Sequence, residues 1–147
     1  MNLTLYTRAY GMTRRTVLSL ACLAGFVHAE SPEESVRGTL IRTPDGKPAL
    51  TTKDGKTILL DGDEGTQSVV NDERLRGMDF EALGHFTAAN RFLIDPIYKR
   101  AMFVHKDGKK LFITYWCNVC YIRTYTPGNC RCCQKYTDLD LTENDAQ

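Results

Sequence analysis

Five of the six cysteines in this 147-residue chain fall between Cys117 and Cys133. Their spacing is what could do chemistry. Cys117-x-x-Cys120 is followed by nine residues and then by Cys130-x-x-Cys133. Each pair can wrap one side of an ion, and the loop between them can fold the two pairs into a tetrahedron, the arrangement of a zinc ribbon or knuckle. Tyr121 to Thr126 would form one arm, Pro127-Gly128 would turn it, and Cys130 would open the second knuckle. Four thiolates around a divalent ion leave a net negative charge, which Arg123, Arg131 and Lys135 stand ready to offset. A closed four-sulfur site has no open position for water or substrate, so the expected role is structural. Cys132 is left over, as a replacement for Cys133 in the ligand set or as a free thiol.

Disulfides are the competing chemistry, because cysteine clusters in an oxidising compartment are usually bridged. An odd number cannot pair completely, adjacent Cys132-Cys133 is a strained pair, and bridges here would staple only the tail. A redox-active or iron–sulfur cluster is the third reading. A c-type haem is excluded, since no Cys-x-x-Cys-His occurs. Trp116-Cys117-Asn118-Val119-Cys120 resembles a thioredoxin-type motif, but β-rich Tyr121 to Thr126 follows it where that fold needs a helix. Only 27 residues remain after Cys120, too few for the rest of such a fold.

Other candidates reduce to structure. His85 and His105 lie on expected strands, with no fixed spacing to a cysteine or carboxylate, and read as exposed or hydrogen-bonded. Asp61-Gly62-Asp63-Glu64-Gly65 lacks the alternating ligands and distal Glu of a calcium loop and reads as a turn. Tyr115, Trp116, Tyr121, Tyr125 and Tyr136 surround the cysteines, either covering a small site or forming a recognition surface. No nucleophile elbow, metalloprotease helix, P-loop or dinucleotide fingerprint is present, so hydrolase and transferase readings lack support.

The first 29 residues contain no acid. A basic segment ends at Arg14-Arg15, an apolar stretch runs from Val17 to Val27, and Val27-His28-Ala29 precedes Glu30. This is the pattern of a cleavable export signal, too short in its apolar part to span a bilayer comfortably. Met12 could be the true start. Thr13-Arg14-Arg15-Thr16-Val17-Leu18 resembles a twin-arginine signal. An uncleaved anchor is the alternative; a lipoprotein cysteine at Cys22 fails because Ser19 stands where an aliphatic residue is needed. Cleavage after Ala29 leaves 118 residues with 16 Lys+Arg against 18 Asp+Glu. An acidic exported domain is a poor binder of nucleic acid. With 42% apolar and 25% charged residues the chain is neither disordered nor membrane-embedded.

The elements that must position the cysteines are mostly strands. Ser35 to Ile41 alternates around Gly38, where a bulge or sharp bend is expected. Thr43-Pro44-Asp45-Gly46-Lys47-Pro48 is a turn. Lys53-Asp54-Gly55-Lys56 joins strands at Ala49–Thr51 and Thr57–Leu60, and Lys106-Asp107-Gly108-Lys109 joins strands at Ala101–Val104 and Leu111–Ile113. Between the hairpins, Asn71 is expected to cap a short helix over residues 71–76 that stops at Gly77. Phe80 to Phe86 and Arg91 to Ile94 read as two more strands. The expected fold is mainly β: a small OB-like Greek-key barrel or sandwich with one short helix over residues 30–114, then a cysteine-rich, zinc-knuckle-like tail over residues 115–147.

The runs Val36-Arg37-Gly38-Thr39-Leu40 and Thr57-Ile58-Leu59-Leu60 resemble small secreted bacterial OB-like domains. The tail from Tyr115-Trp116-Cys117 to Cys130-Arg131-Cys132-Cys133-Gln134 resembles those of uncharacterised exported bacterial proteins, a likeness that implies no activity. The expected function is accordingly non-enzymatic: an exported binding or structural protein of the cell envelope, periplasmic or secreted, with zinc on Cys117, Cys120, Cys130 and Cys133. Its partner would be an envelope protein or a small ligand, not nucleic acid, and it would have no transmembrane span after cleavage. The alternative is a thiol–disulfide redox protein or a carrier of a soft metal such as copper.

Overall fold

Glycine turns fix the strand order. A computed structural model describes residues 33–143, so the export signal expected over 1–29, its twin-arginine reading and Cys22 lie outside the described residues. Strand β1 (Glu34–Arg42) turns through Thr43–Lys47 into β2 (Pro48–Thr51), which turns through Thr52–Lys56 into β3 (Thr57–Asp61). Both turns use one device. The Thr N–H donates to the Lys carbonyl at 2.9 Å in each, the Thr hydroxyl accepts from the Lys N–H, and a glycine takes φ 83° or 79°. The Asp107-Gly108 turn is different. Both residues have positive φ, 52° and 75°, giving a two-residue hairpin between β6 (Met102–Lys106) and β7 (Lys109–Cys117).

Five strands close on themselves. β1 pairs with β2, β2 with β3, β3 in parallel with β5 (Arg91–Ile94), β5 with β4 (Asp79–Ala88), and β4 back with β1. That ring is the expected OB-like Greek-key barrel. Inward residues alternate along the strands, and Leu50, Phe80, Phe92 and Tyr115 are fully buried. Burial of such side chains is the main force holding the fold, at about 1.5–3 kcal/mol for each large apolar group.

Two glycines let strands change neighbours. At Gly38, β1 passes from its pairing with β4 to its pairing with β2, and a Cβ there would stand 2.4 Å from the Thr51 carbonyl oxygen. At Gly84 the second edge of β4 passes from β6 to β5, with the Leu93 carbonyl oxygen 2.1 Å from where a Cβ would be. β4 thereby serves both the barrel and an extension. In the extension β6 pairs with β7, and β7 pairs with β8 (Ile122–Thr124) and β9 (Asp138–Thr142).

The helix differs from expectation. α1 spans Glu64–Val70 and starts where a plain turn was expected; Asn71, the expected first cap, is its last. Asp63 caps α1 by accepting from the Thr66 N–H at 2.8 Å, and its other oxygen accepts from the Ile97 N–H at 3.1 Å. Tertiary packing overrides local propensity here. A Cβ at Gly65 would stand 2.8 Å from Ile97 Cγ2, and one at Gly62 2.5 Å from Thr66 Cγ2, so both glycines serve close packing. Residues Glu73–Leu75 form one 3-10 turn capped by Asp72. Phe86, which strand alternation places on one face with Phe80, Ala82 and Gly84, ends that stripe 42% exposed, edge-on against Phe92.

Candidate metal centre

Strand β7 delivers Cys117, its last residue, to the site, and Tyr115 two positions earlier is locked in the barrel core. The chain then folds into two knuckles of the same construction. In the first, the Tyr121 N–H donates to the Cys117 carbonyl at 2.9 Å, and Tyr121 has φ 56°. In the second, the Gln134 N–H donates to the Cys130 carbonyl at 2.9 Å, and Gln134 has φ 62°. Each tight turn points its two thiols to one side. The Cys120 N–H also approaches the Cys117 sulfur at 3.5 Å, so the backbone supports the sulfur directly.

The sulfurs of Cys117, Cys120, Cys130 and Cys133 all lie within 4.8 Å of one another, and Cys117 and Cys133 approach to 3.5 Å. A regular tetrahedron with metal–sulfur bonds of about 2.3 Å has edges of about 3.8 Å. A disulfide needs about 2.05 Å, and all five cysteines of the described chain are free thiols. The four expected ligands therefore converge on one point, and together they could hold a metal ion. Cys117 and Cys130 form the buried side of the group, Cys120 and Cys133 the half-buried side.

Cys132 is exposed and stands outside this four-sulfur set. The neighbouring Cys132 thiol first, then desolvation and the thiols of Cys133 and Cys130, push the Cys120 thiol well above its ordinary range. Crowded thiols resist ionisation because each thiolate would repel the next. A divalent cation reverses this, since it deprotonates the thiols it coordinates.

A second set of contacts fastens the knuckles to the barrel. The Thr137 N–H and hydroxyl both donate to the Gly128 carbonyl at 2.9 Å, and the Cys130 N–H donates to the Lys135 carbonyl at 2.8 Å. The Thr137 carbonyl in turn accepts from Arg74 Nη1 at 2.8 Å. Arg74 grips Asp72 through Nε and Nη2, and its guanidinium lies 5.2 Å from the ring centres of both Tyr115 and Tyr136. Burial raises the Asp72 pKa, but the bonds from Arg74 outweigh it and hold the carboxyl below its ordinary value. Neither Asp72 nor Arg74 carries a local signal pointing to the cysteines; only the fold brings them there.

The remaining candidates separate from the site. Arg123, expected to balance the sulfurs, bonds Asp140 at 2.7 Å and lies over the Trp116 ring. His105 Nε2 sits 2.5 Å from Glu81 Oε2, and Lys110 reaches the other oxygen of Glu81 at 3.0 Å. His85 is half-buried on β4. Asp61 bonds Arg91, and Asp63 caps α1. Val119, Tyr121, Ile122 and Tyr136 are exposed around the knuckles. An open groove of about 620 Å3 runs along β1 and β2 past Arg37, Thr51, Lys53 and Asp79. No helix among the described residues is long and apolar enough to cross a membrane.

Comparison of the chain with family models, with curated proteins and with solved structures finds no match.

Proposed function

We propose that this is an exported, non-enzymatic binding protein of the cell envelope whose C-terminal knuckles close around one structural zinc ion on Cys117, Cys120, Cys130 and Cys133. One observation carries the reading: four sulfurs from two matching turns lie within 4.8 Å of one another. An all-thiolate tetrahedral set suits zinc. Binding to such short motifs contributes on the order of 10 kcal/mol at neutral pH, enough to order a loop. Export rests on the acid-free, apolar segment that ends at Ala29. Binding an envelope protein or a small ligand falls to the barrel groove or the exposed aromatic knuckles, since the metal site is closed.

Native mass spectrometry of the purified protein tests the metal. One zinc, with two protons lost for each pair of ligands, is expected, and four thiols should stay hidden from an alkylating reagent until a chelator is added. A mass short by four protons with no metal would show two disulfides instead. Exposure of Cys132 favours a second reading, thiol exchange or soft-metal carriage, under which at least two thiols would react without chelator. Finding the mature N-terminus at Glu30 supports export; an intact residue 1–29 segment on soluble protein would refute it.

A further inference from the structure

We infer that the exposed rim of the two knuckles is a docking surface for an anionic lipid bilayer. The inference rests on the binding role proposed above and names its partner. Three observations combine. Val119, Tyr121, Ile122 and Tyr136 present large apolar side chains that are between 42% and 75% exposed. Arg131 and Lys135 are exposed beside them. Each of these six residues stands within three positions of a ligand cysteine, and the ligand sulfurs lie within 4.8 Å of one another. Three residues of chain reach at most about 11 Å, so all six are gathered round one point.

Charge is the observation that selects the partner. Residues 117–137 contain three Lys+Arg and no Asp or Glu, whereas the rest of residues 30–147 contains 13 Lys+Arg and 18 Asp+Glu. Four thiolates around a divalent ion take back two of those positive charges, which leaves the knuckles at +1 and the remainder at −5. Arg123 is engaged with Asp140 at 2.7 Å, so Arg131 and Lys135 are the cations that face solvent. An anionic surface therefore repels the barrel and accepts the knuckles, which fixes the orientation of approach. The side chains suit the headgroup boundary. Rings and branched aliphatic groups enter the acyl edge, while the tyrosine hydroxyls and the two cations stay with the phosphates. An acidic protein would answer the cations but needs a fitted pocket for four apolar groups spread over two turns; a bilayer takes both kinds without a matching shape.

The test uses the full chain loaded with zinc, and phosphatidylcholine vesicles with or without about 30% phosphatidylglycerol. Trp116 is the one tryptophan of the chain, half-buried and edge-on to Tyr121 at 6.1 Å. Its quenching by brominated lipid therefore reads the knuckles and not residues 1–29. Quenching is expected on the anionic vesicles, and to be at least tenfold weaker on pure phosphatidylcholine or in high salt. Arg131→Gln combined with Lys135→Gln should lower the partition coefficient at least tenfold, and Val119→Asp should do the same, each with one zinc still bound. Quenching that is equal in wild type and both variants, or indifferent to lipid charge, would overturn the inference. Binding of poly-glutamate in place of vesicles would assign the rim to an acidic polypeptide and overturn it equally. Zinc content is read on the same samples: loss of docking with one zinc bound leaves the metal reading standing, and docking by protein that takes up no zinc would overturn the metal reading and keep the bilayer.

Discussion

Arg74 and Thr137, 63 residues apart in sequence, meet where the barrel joins the cysteine knuckles: Arg74 Nη1 donates to the Thr137 carbonyl at 2.8 Å. The same guanidinium is held by Asp72 and lies against Tyr115 and Tyr136. The second knuckle is thus tied to a turn of the barrel by a charged, planar donor with four separate partners. Arginine suits this place and lysine does not, because the fork and the ring contacts both need the plane.

Replacing that guanidinium should loosen the knuckle without unfolding the barrel. Arg74→Ala leaves Asp72 buried with an unpaired charge and is expected to lower stability by about 3 kcal/mol. Zinc affinity should fall roughly tenfold, as for other loss of support behind a metal ligand. Arg74→Lys should fall between the two. Denaturant midpoints and a competitive zinc titration measure both effects, and an unchanged affinity in Arg74→Ala would remove Arg74 from the support of the site.

Chelation should act on one end of the molecule. With zinc removed, amide exchange is expected to accelerate over residues 117–137, while strands β1 to β5 keep their protection. The reason is where the apolar contacts lie: Leu50, Phe80 and Phe92 are fully buried in the barrel, whereas Val119, Tyr121 and Ile122 are exposed at the knuckle. Tyr115, fully buried in the same core cluster as Phe80, should remain protected as well. Uniform loss of protection across the barrel would show that the ion holds the whole fold.

Much of the architecture was legible in the sequence because its signals are local. Period-two alternation and Asp-Gly turns located β1 to β7, and Cys-x-x-Cys spacing located the four sulfurs, each pair being set by its own turn. The misplaced helix came from reading Gly62 and Gly65 as turn residues, when they stand in tertiary contact with Thr66 and Ile97. β9 was missed although Leu139 and Leu141 alternate with Asp138 and Asp140, because its reason is long-range pairing with β7. The tail does not hang on its sulfurs alone. β7 and β9 instead carry Ile113, Tyr115, Leu139 and Leu141 into or against the core.

Acid should weaken the barrel's outer face through Glu81. Burial raises the pKa of this carboxyl, but hydrogen bonds to His105 and Lys110 prevail and hold it below its ordinary value. A carboxyl lowered in the folded state stabilises above its unfolded pKa, about 4.3, and that contribution is lost as pH falls through the folded value. Glu81→Gln removes the charge at every pH. Its stability deficit relative to wild type is therefore expected to shrink as pH falls from about 5 to below 4, with zinc kept out of both samples by chelator. A deficit that stays level down to pH 3 would contradict this.

Crowding at the two strand crossings predicts the harshest single changes. Gly38→Ala must push the Thr51 carbonyl away from 2.4 Å, and Gly84→Ala must move the Leu93 carbonyl from 2.1 Å, both against paired backbone. Each is expected to destabilise by about 3 kcal/mol. Gly84→Ala should be the more severe, because β4 there serves the barrel and the extension together. Thermal melts against wild type check this, and melting unchanged in either variant would show that the strands part easily.

The two knuckle turns allow the opposite change. Gln134 holds φ 62°, a conformation that costs a side-chain-bearing residue about 1–2 kcal/mol and glycine almost nothing. Gln134→Gly should therefore keep zinc affinity or raise it, whereas Gln134→Val, β-branched and unable to hold that φ without strain, should lower it at least tenfold. Tyr121 is the matching position, but its ring meets Trp116 edge-on at 6.1 Å, so Tyr121→Gly relieves the backbone and loses a contact together. Gln134, whose side chain gives up an exposed hydrogen bond to the Arg131 carbonyl at 3.2 Å, is the cleaner probe. Competitive zinc titration of Gln134→Gly and Gln134→Val decides the matter: equal affinities would mean that the second knuckle does not need its left-handed residue to hold the metal.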